Sequence, residues 1–307
     1  MSYGTSGEGR LSKNERREAA REKAKVLREE QKKKDRRTKY LLQGGIILAS
    51  LAIITAVTLV IVNGIRPEGP GPLNMLSDGI KIGQGFEATK TPALKPGREP
   101  LANERDDASE VLDIQIYVDY MCPICGAFEA ENGEQIATLV ESGAATVEYH
   151  PIAILDNLSV GTKYSTRAAN AAACVANYDP NTFFEYNTAL FTDQPAERTA
   201  GLTNAELFER ATAVGVAKAN DIEKCIEDAK FATWVGDATD RALNGPIPNS
   251  DVEAVQGTPT VIVNGQKFNY STPFTSDEFA AFLIQAAGTT FSDNATPSPE
   301  PTPTPTP

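Results

Sequence analysis

The longest apolar stretch comes early in the chain: Leu41 to Val62 is 22 residues without a charge. That length crosses a hydrocarbon core of roughly 30 Å as a helix. A buried helix of a soluble core is the competing reading, but such helices seldom run this long without a polar face. Further on, the apolar positions of "VLDIQIYV" predict a strand over 112–118. The pattern then predicts a helix over 123–141, a strand over 145–154 and a helical region over 163–242. A strand over 260–264, a short strand over 266–270 and a final helix over 276–287 complete the order, and "GIKIGQGFEA" adds a short strand near the start.

The joints carry their own signals. Pro123 suits the first turn of a helix, where its missing N–H is not needed. "NG" at 264–265, between apolar runs, marks a hairpin turn. Thr203 and Glu206 have capping-box spacing at the start of "GLTNAELFERATAVGV", and "STRAANAAACVANY" is alanine-rich and helical. No internal repeat is present. The order is an α/β pattern with a helical insertion between its strand halves.

Loose segments set the boundaries. "IRPEGPGPLNMLSDG" reads as a short stalk, "TKTPALKPGREPLANERDDASE" as a second loose stretch, and "ATPSPEPTPTPTP" as a solvated, extended tail. The expected organisation is a basic segment at 1–40, a membrane helix at 41–63 and a stalk at 64–74. A folded domain at 75–288 follows, with its insertion at about 160–245, and then a disordered tail at 289–307.

Charge adds an orientation. The net charge of −12 hides a division, because residues 1–39 carry a net of +7 and residues 40–307 a net of −19. Lys and Arg beside a span stay on the cytoplasmic side, which puts everything after Gly64 outside. A cleaved secretory signal fits less well, since the apolar run is too long and no small-residue site closes it. The basic block alternates Lys/Arg with Glu and lacks aromatic residues, as expected of a juxtamembrane helix near anionic lipid rather than a nucleic-acid site. The acidic outer part also argues against nucleic acid there.

The candidate chemistry lies in "YVDYMCPICGAF", where Cys122 falls at the join of a strand to a helix. A thiol there faces unpaired backbone N–H groups and the positive end of the helix dipole, which favour thiolate. Cys125 is one turn inward, within reach of Cys122 but shielded from larger partners. Cys122 is therefore the attacking thiol and Cys125 the resolving one. A zinc or iron–sulfur site lacks its other ligands, because Cys174 and Cys225 are 51 residues apart and His150 is the one histidine. No metal or cofactor is expected. An inert Cys122–Cys125 crosslink would close too short a loop to stabilise much. Cys174 and Cys225, on adjacent predicted helices of the insertion, make the better structural bridge, although four cysteines allow three pairings. His150 is a candidate base, but a lone histidine at a strand end is more often structural.

"YVDYMCPICGAFEAENG", followed far downstream by "GTPTVIVNG", resembles the DsbA-like thioredoxin superfamily, in particular its membrane-anchored extracytoplasmic members in bacteria. The resemblance covers 75–288 and implies a thioredoxin fold with a helical insertion, preceded by the single transmembrane helix. It implies that Cys122 forms a mixed disulfide that Cys125 resolves, and that Thr258-Pro259 is a cis-proline loop facing them. That loop would hold the Thr258 backbone open for an extended peptide. The chain also departs from the family. The spacer is Pro123-Ile124, without the histidine of the best-known DsbA enzymes. Ile116 stands where many thioredoxin-fold proteins place a carboxylate. Asp119, three residues before Cys122, is a candidate electrostatic neighbour, with an exposed loop acid the alternative.

The resemblance implies a dithiol oxidase acting on cysteines of exported proteins and reoxidised by a membrane partner of the DsbB or vitamin K epoxide reductase-like type. A reductase or isomerase kept reduced by a membrane donor uses the same chemistry in reverse. A binding or chaperone module with structural disulfides is the reading from another class. Deleting residues 10–37 is expected to disturb the cytoplasmic placement of the N-terminus in a reporter-fusion topology assay; an unchanged orientation counts against the charge argument.

Overall fold

The computed structural model describes residues 69–105 and 111–294, together with residues 17–18, 21–36, 39–41, 43, 45 and 50. The chain divides into two units, residues 1–66 and 67–307. In the first, residues 21–36 are helical and exposed. The span expected over 41–63 lies almost wholly outside the described residues, and the Pro/Thr segment from 295 onward lies entirely outside them. Among the described residues no helix is long and apolar enough to cross a membrane.

The second unit is built on a mixed sheet. Strand β1 (Ile80–Ile82), β2 (Leu112–Val118), β3 (Ala145–Pro151), β4 (Thr260–Val263) and β5 (Gln266–Lys267) lie in the order β1-β3-β2-β4-β5. The β2–β3 pair is parallel and the other pairs are antiparallel. All of β2 is buried, as a strand covered on both faces must be. Its period of two sends Ile114, Ile116 and Val118 into the main core and Tyr117 into a smaller cluster with Ile152, Ile247 and Ile262.

Helix α1 (Pro123–Ser142) packs on the main-core face. It buries Cys125, Phe128, Glu129, Asn132, Ile136 and Val140, which recur at three- and four-residue spacing along one side. Gly143, at φ 79°, ends it in the left-handed conformation that glycine adopts at little cost. Phe128 meets Phe274 and Phe279 edge-on at 5.5 Å, which joins α1 to the segment carrying the last helix.

The insertion contains α2 (Tyr164–Tyr178), α3 (Phe183–Phe191), α4 (Asn204–Ala213), α5 (Ala219–Glu227) and α6 (Ala232–Asn244). Six buried alanines of α2 let its neighbours approach closely, which is the use of the alanine-rich stretch. Thr203 and Glu206 form the expected capping box at α4. Cys174 of α2 and Cys225 of α5 are joined, with Cα atoms 5.9 Å apart. The final helix, α7, runs Ser276–Asn294.

Several expected bounds are corrected. Strand β3 stops at Pro151 rather than 154, because its parallel partner β2 ends at Val118, opposite Pro151. Strand β5 stops at Lys267 rather than 270, after which Tyr270 turns to bond Pro259 O at 3.2 Å. Helix α7 continues past 287 to Asn294, so the segment expected to be disordered from 289 begins as helix. Packing also begins before 75, within the expected stalk. Gly71 N–H donates to Leu94 O at 2.8 Å, and Asn74 Nδ2 donates to Ala176 O at 2.8 Å. "NG" forms its turn with φ of 49° at Asn264 and 83° at Gly265.

The Cys174–Cys225 bond closes a separation of 51 residues. Replacing both cysteines by serine is expected to lower the unfolding free energy by roughly 2–4 kcal/mol on the loop-entropy model, read by denaturant titration under oxidising conditions.

Candidate active site

Three segments converge on the two cysteines: the turn that ends β2, the loop that enters β4 and the loop that leaves α3. In the turn, Cys122 N–H donates to Asp119 O at 2.9 Å. Cys122 is the N-cap of α1 with an extended backbone (φ −76°, ψ 115°), and Pro123 is the first helical residue. Both cysteines are free thiols. Cys122 is 5% exposed and Cys125 fully buried, while Ile124 between them is 38% exposed and marks the rim.

Asp119 is not an exposed loop acid but is fully buried. Its Oδ1 accepts from Met121 N–H at 2.8 Å and its Oδ2 from Leu155 N–H at 2.9 Å. Burial pushes its carboxyl up, opposed by the hydrogen bonds from the Met121 and Leu155 amides. The residue fastens the cysteine turn to the loop after β3.

The two thiols are driven apart in acidity. Cys122 is lowered from 9.0 to about 6, first by hydrogen bonding from Cys125; burial opposes this, and the amides of Cys125 and Ile124 add to it. Those amides are the unpaired N–H groups of the first helical turn. Cys125 is raised well above 9.0, by burial first and then by its contact with Cys122. One sulfur is thus stabilised as a thiolate and the other as a fully buried thiol.

The facing loop enters β4. The Thr258-Pro259 peptide is cis, and Cys122 Sγ lies 3.2 Å from the Thr258 carbonyl, to which the thiol donates. Residues 257–260 and 267–270 line a groove of about 260 Å³ beside this contact. Its far wall includes Tyr270.

Two residues near the site escaped the reading from sequence. Glu129 is 7% exposed and one helical turn from Cys125 on the same side of α1. Burial pushes its carboxyl up to about 7, against the Tyr149 and Asn187 side chains. The i,i+4 spacing from Cys125 was a signal that could have found it. Gln194, after α3, donates from Nε2 to Tyr120 O and Cys122 O, each at 2.9 Å. No pattern in the sequence marks Gln194, which is 72 residues from Cys122 in the chain.

His150 lies elsewhere. It pairs with Tyr117 in register, stacks on that ring at 4.3 Å and belongs with it on the sheet face opposite α1. Its Nε2 is 3.4 Å from Glu148 Oε1, and Gly79 backs onto the ring so closely that a Cβ there would lie 2.5 Å from it. The ring is a packed part of the sheet. Among the described residues no group of three or more His, Cys, Asp or Glu is placed to hold a metal ion.

The model of the family described as Thioredoxin matches residues 106–284, more than half of the chain. The chain belongs to the thioredoxin family. Among solved structures it is similar to oxidised DsbA of Mycobacterium tuberculosis, at 31% identity over 68% of this chain and 93% of that one, with a TM-score of 0.51. It is also similar to a reduced disulfide bond oxidoreductase, DsbG, of the same organism, at 30% identity, 71% and 93% coverage and a TM-score of 0.50. Among curated proteins it is 34% identical over 164 residues to the serine/threonine-protein kinase PknE of M. tuberculosis, spanning 52% of this chain but only 28% of the kinase's length. Disulfide bond formation protein D of Bacillus subtilis matches at 25% identity over 60% of this chain and 75% of that protein. With the paired thiols, the DsbA and DsbG relatives define this thioredoxin-family member as a protein-disulfide oxidoreductase.

Because folded Cys122 titrates below the free-thiol value, it favours folding of the reduced chain fully above pH 9, and this contribution is lost as pH falls through about 6. Alkylation of the reduced protein is expected to rise with a midpoint near pH 6 at Cys122 and to spare Cys125 even at pH 9. Peptide mapping after pulsed iodoacetamide reads both, and a Cys122 midpoint near 9 contradicts the assignment.

Proposed function

We propose that this protein is a membrane-anchored, extracytoplasmic dithiol oxidase that introduces disulfides into exported proteins through Cys122 and Cys125. The observation that carries the direction is the place of Cys122 at the N-cap of α1, beside the unpaired amides of Ile124 and Cys125, which stabilise its thiolate. A site that stabilises its own thiolate stabilises its reduced form, so its disulfide gains electrons readily. A two-electron shift of about 30 mV corresponds to ~1.4 kcal/mol, so modest thiolate stabilisation moves the potential substantially.

In this reading a substrate thiolate attacks Cys122 Sγ, the sulfur nearer solvent, and breaks the Cys122–Cys125 bond. Cys125 leaves and takes up a proton, consistent with its high affinity for one. The second substrate thiolate attacks the substrate sulfur of the mixed disulfide and expels Cys122 as the stabilised thiolate. Two electrons have passed to the pair. They leave through a quinone-linked membrane protein of the DsbB or vitamin K epoxide reductase-like type, the partner class that the resemblance implies. The groove beside Thr258 and Pro259 suits an extended segment of the substrate.

The apolar run at 41–62 and the basic block before it support a single-pass anchor with the N-terminus in the cytoplasm and the thiols outside. The nearly equal likeness to DsbA and DsbG favours keeping a reductase or isomerase as the second reading. Expressed in cells, Cys125→Ala should hold exported proteins on Cys122 in complexes that collapse when a non-reducing gel is repeated with reductant. The steady-state form of the unaltered protein sets the direction: mainly disulfide for an oxidase, mainly dithiol for the alternative.

A further inference from the structure

The redox pair lies on the sheet unit, but one polar contact reaches it from the helical insertion. Gln194 leaves α3 and turns its amide back onto the cysteine turn, where Nε2 meets the carbonyl oxygens of Tyr120 and Cys122 at 2.9 Å each. A primary amide nitrogen carries two N–H groups, and both are used. Since both partners are acceptors, only the nitrogen end of the amide can face them.

The loop that presents Gln194 is itself held. Arg210 of α4 donates from Nη1 to the carbonyls of Ala189 and Thr192 and from Nη2 to that of Asp193 at 3.3 Å. Asp193 has a φ of 48°, which turns the chain so that the next residue faces the active site. On the other side, the helix leaves room for the amide by having glycine at 126. A Cβ on Gly126 would overlap Gln194 Oε1.

We propose that Gln194 is a positioning residue that favours the Cys122 thiolate by tying down the two carbonyl groups on either side of the cysteine turn. The inference rests on the functional reading above, in which Cys122 is the sulfur that exchanges with substrate and leaves as a thiolate. The oxygen end of each carbonyl dipole is negative, and an oxygen left without a donor close to a thiolate raises the energy of the charged form. Cys122 O already accepts Gly126 N–H at 3.2 Å, the first hydrogen bond of α1, and the Gln194 amide adds a second donor to it. In the disulfide Cys122 carries no charge, so the effect falls on the reduced form alone and shifts the potential. The insertion would thereby set the oxidising strength of a pair to which it contributes no sulfur.

Gln194→Met keeps the length and volume of the side chain and removes its donors. Gly126→Ala removes the same contact from the opposite side, by displacing the amide while leaving Gln194 in the chain. Each variant is to be measured for the pH dependence of thiolate absorbance at Cys122 and for its equilibrium with glutathione. The expected result in both is a Cys122 midpoint higher by about half to one unit and an equilibrium constant about three- to tenfold less oxidising, equivalent to about 15–30 mV. A folded Gln194→Met protein with unaltered midpoint and equilibrium overturns the proposal, since a side chain that only fills space is replaced by Met without electrostatic effect. Should that variant not fold, Gly126→Ala decides by the same two readings. Because the comparison is a difference from the unaltered protein, it is separate from the assignment of Cys122: a midpoint near 9 in the unaltered protein defeats the functional reading, and the lack of any difference between variant and unaltered protein defeats this one.

Discussion

The first turn of a helix leaves N–H groups that no residue inside the helix can satisfy, and this chain sets a sulfur beside them. That constraint organises the rest of the molecule. Strand β2 must end one short turn before α1, and it does so fully buried between β3 and β4, which fix its position on both edges. Strand β4 then carries the Thr258 carbonyl to within 3.2 Å of Cys122 Sγ. A shift of either neighbouring strand would separate the thiol from its facing loop.

Holding such a turn requires polar groups in places that exclude water; several of them are paired, while Ser165 Oγ and Thr258 Oγ1 have no hydrogen-bond partner. Asp119 is fully buried yet accepts from two backbone amides, one of them 36 residues away at Leu155. Glu129 and Asn187 share a contact within the core, and Tyr120 donates its hydroxyl to Asn187 Oδ1 at 2.9 Å. A buried polar group without a partner costs about 1–3 kcal/mol, so these pairings keep a polar environment around the thiols without loss of the fold. Glu129 retains an acidity near neutrality as a result of burial.

Much of the scaffold was legible in the sequence because its signals are local. Pro123 at the helix start, the Thr203 and Glu206 box and the Asn264-Gly265 turn each act through residues within a few positions of one another. The strand at 112–118 was legible from its apolar run, and the joining of Cys174 to Cys225 was favoured by their places on adjacent predicted helices of the insertion, among three open pairings. Element ends were less legible. The end of β3 depends on where its partner β2 stops. Asp119 illustrates the same limit, since a carboxylate in a turn is usually solvated and only the packing of the loop after β3 encloses it.

By itself the sequence determined the order of elements, the place of the thiol pair at a strand-to-helix join and the charge asymmetry across an apolar span. These follow from periodicity, backbone chemistry and residue type over short windows. Only the tertiary structure decided that Asp119 is enclosed, that His150 faces away from the pair, and that Gln194 reaches it. Each of these is a contact across the sheet or between segments up to 74 residues apart, and such contacts arise from the packing of whole elements rather than from any pattern within one.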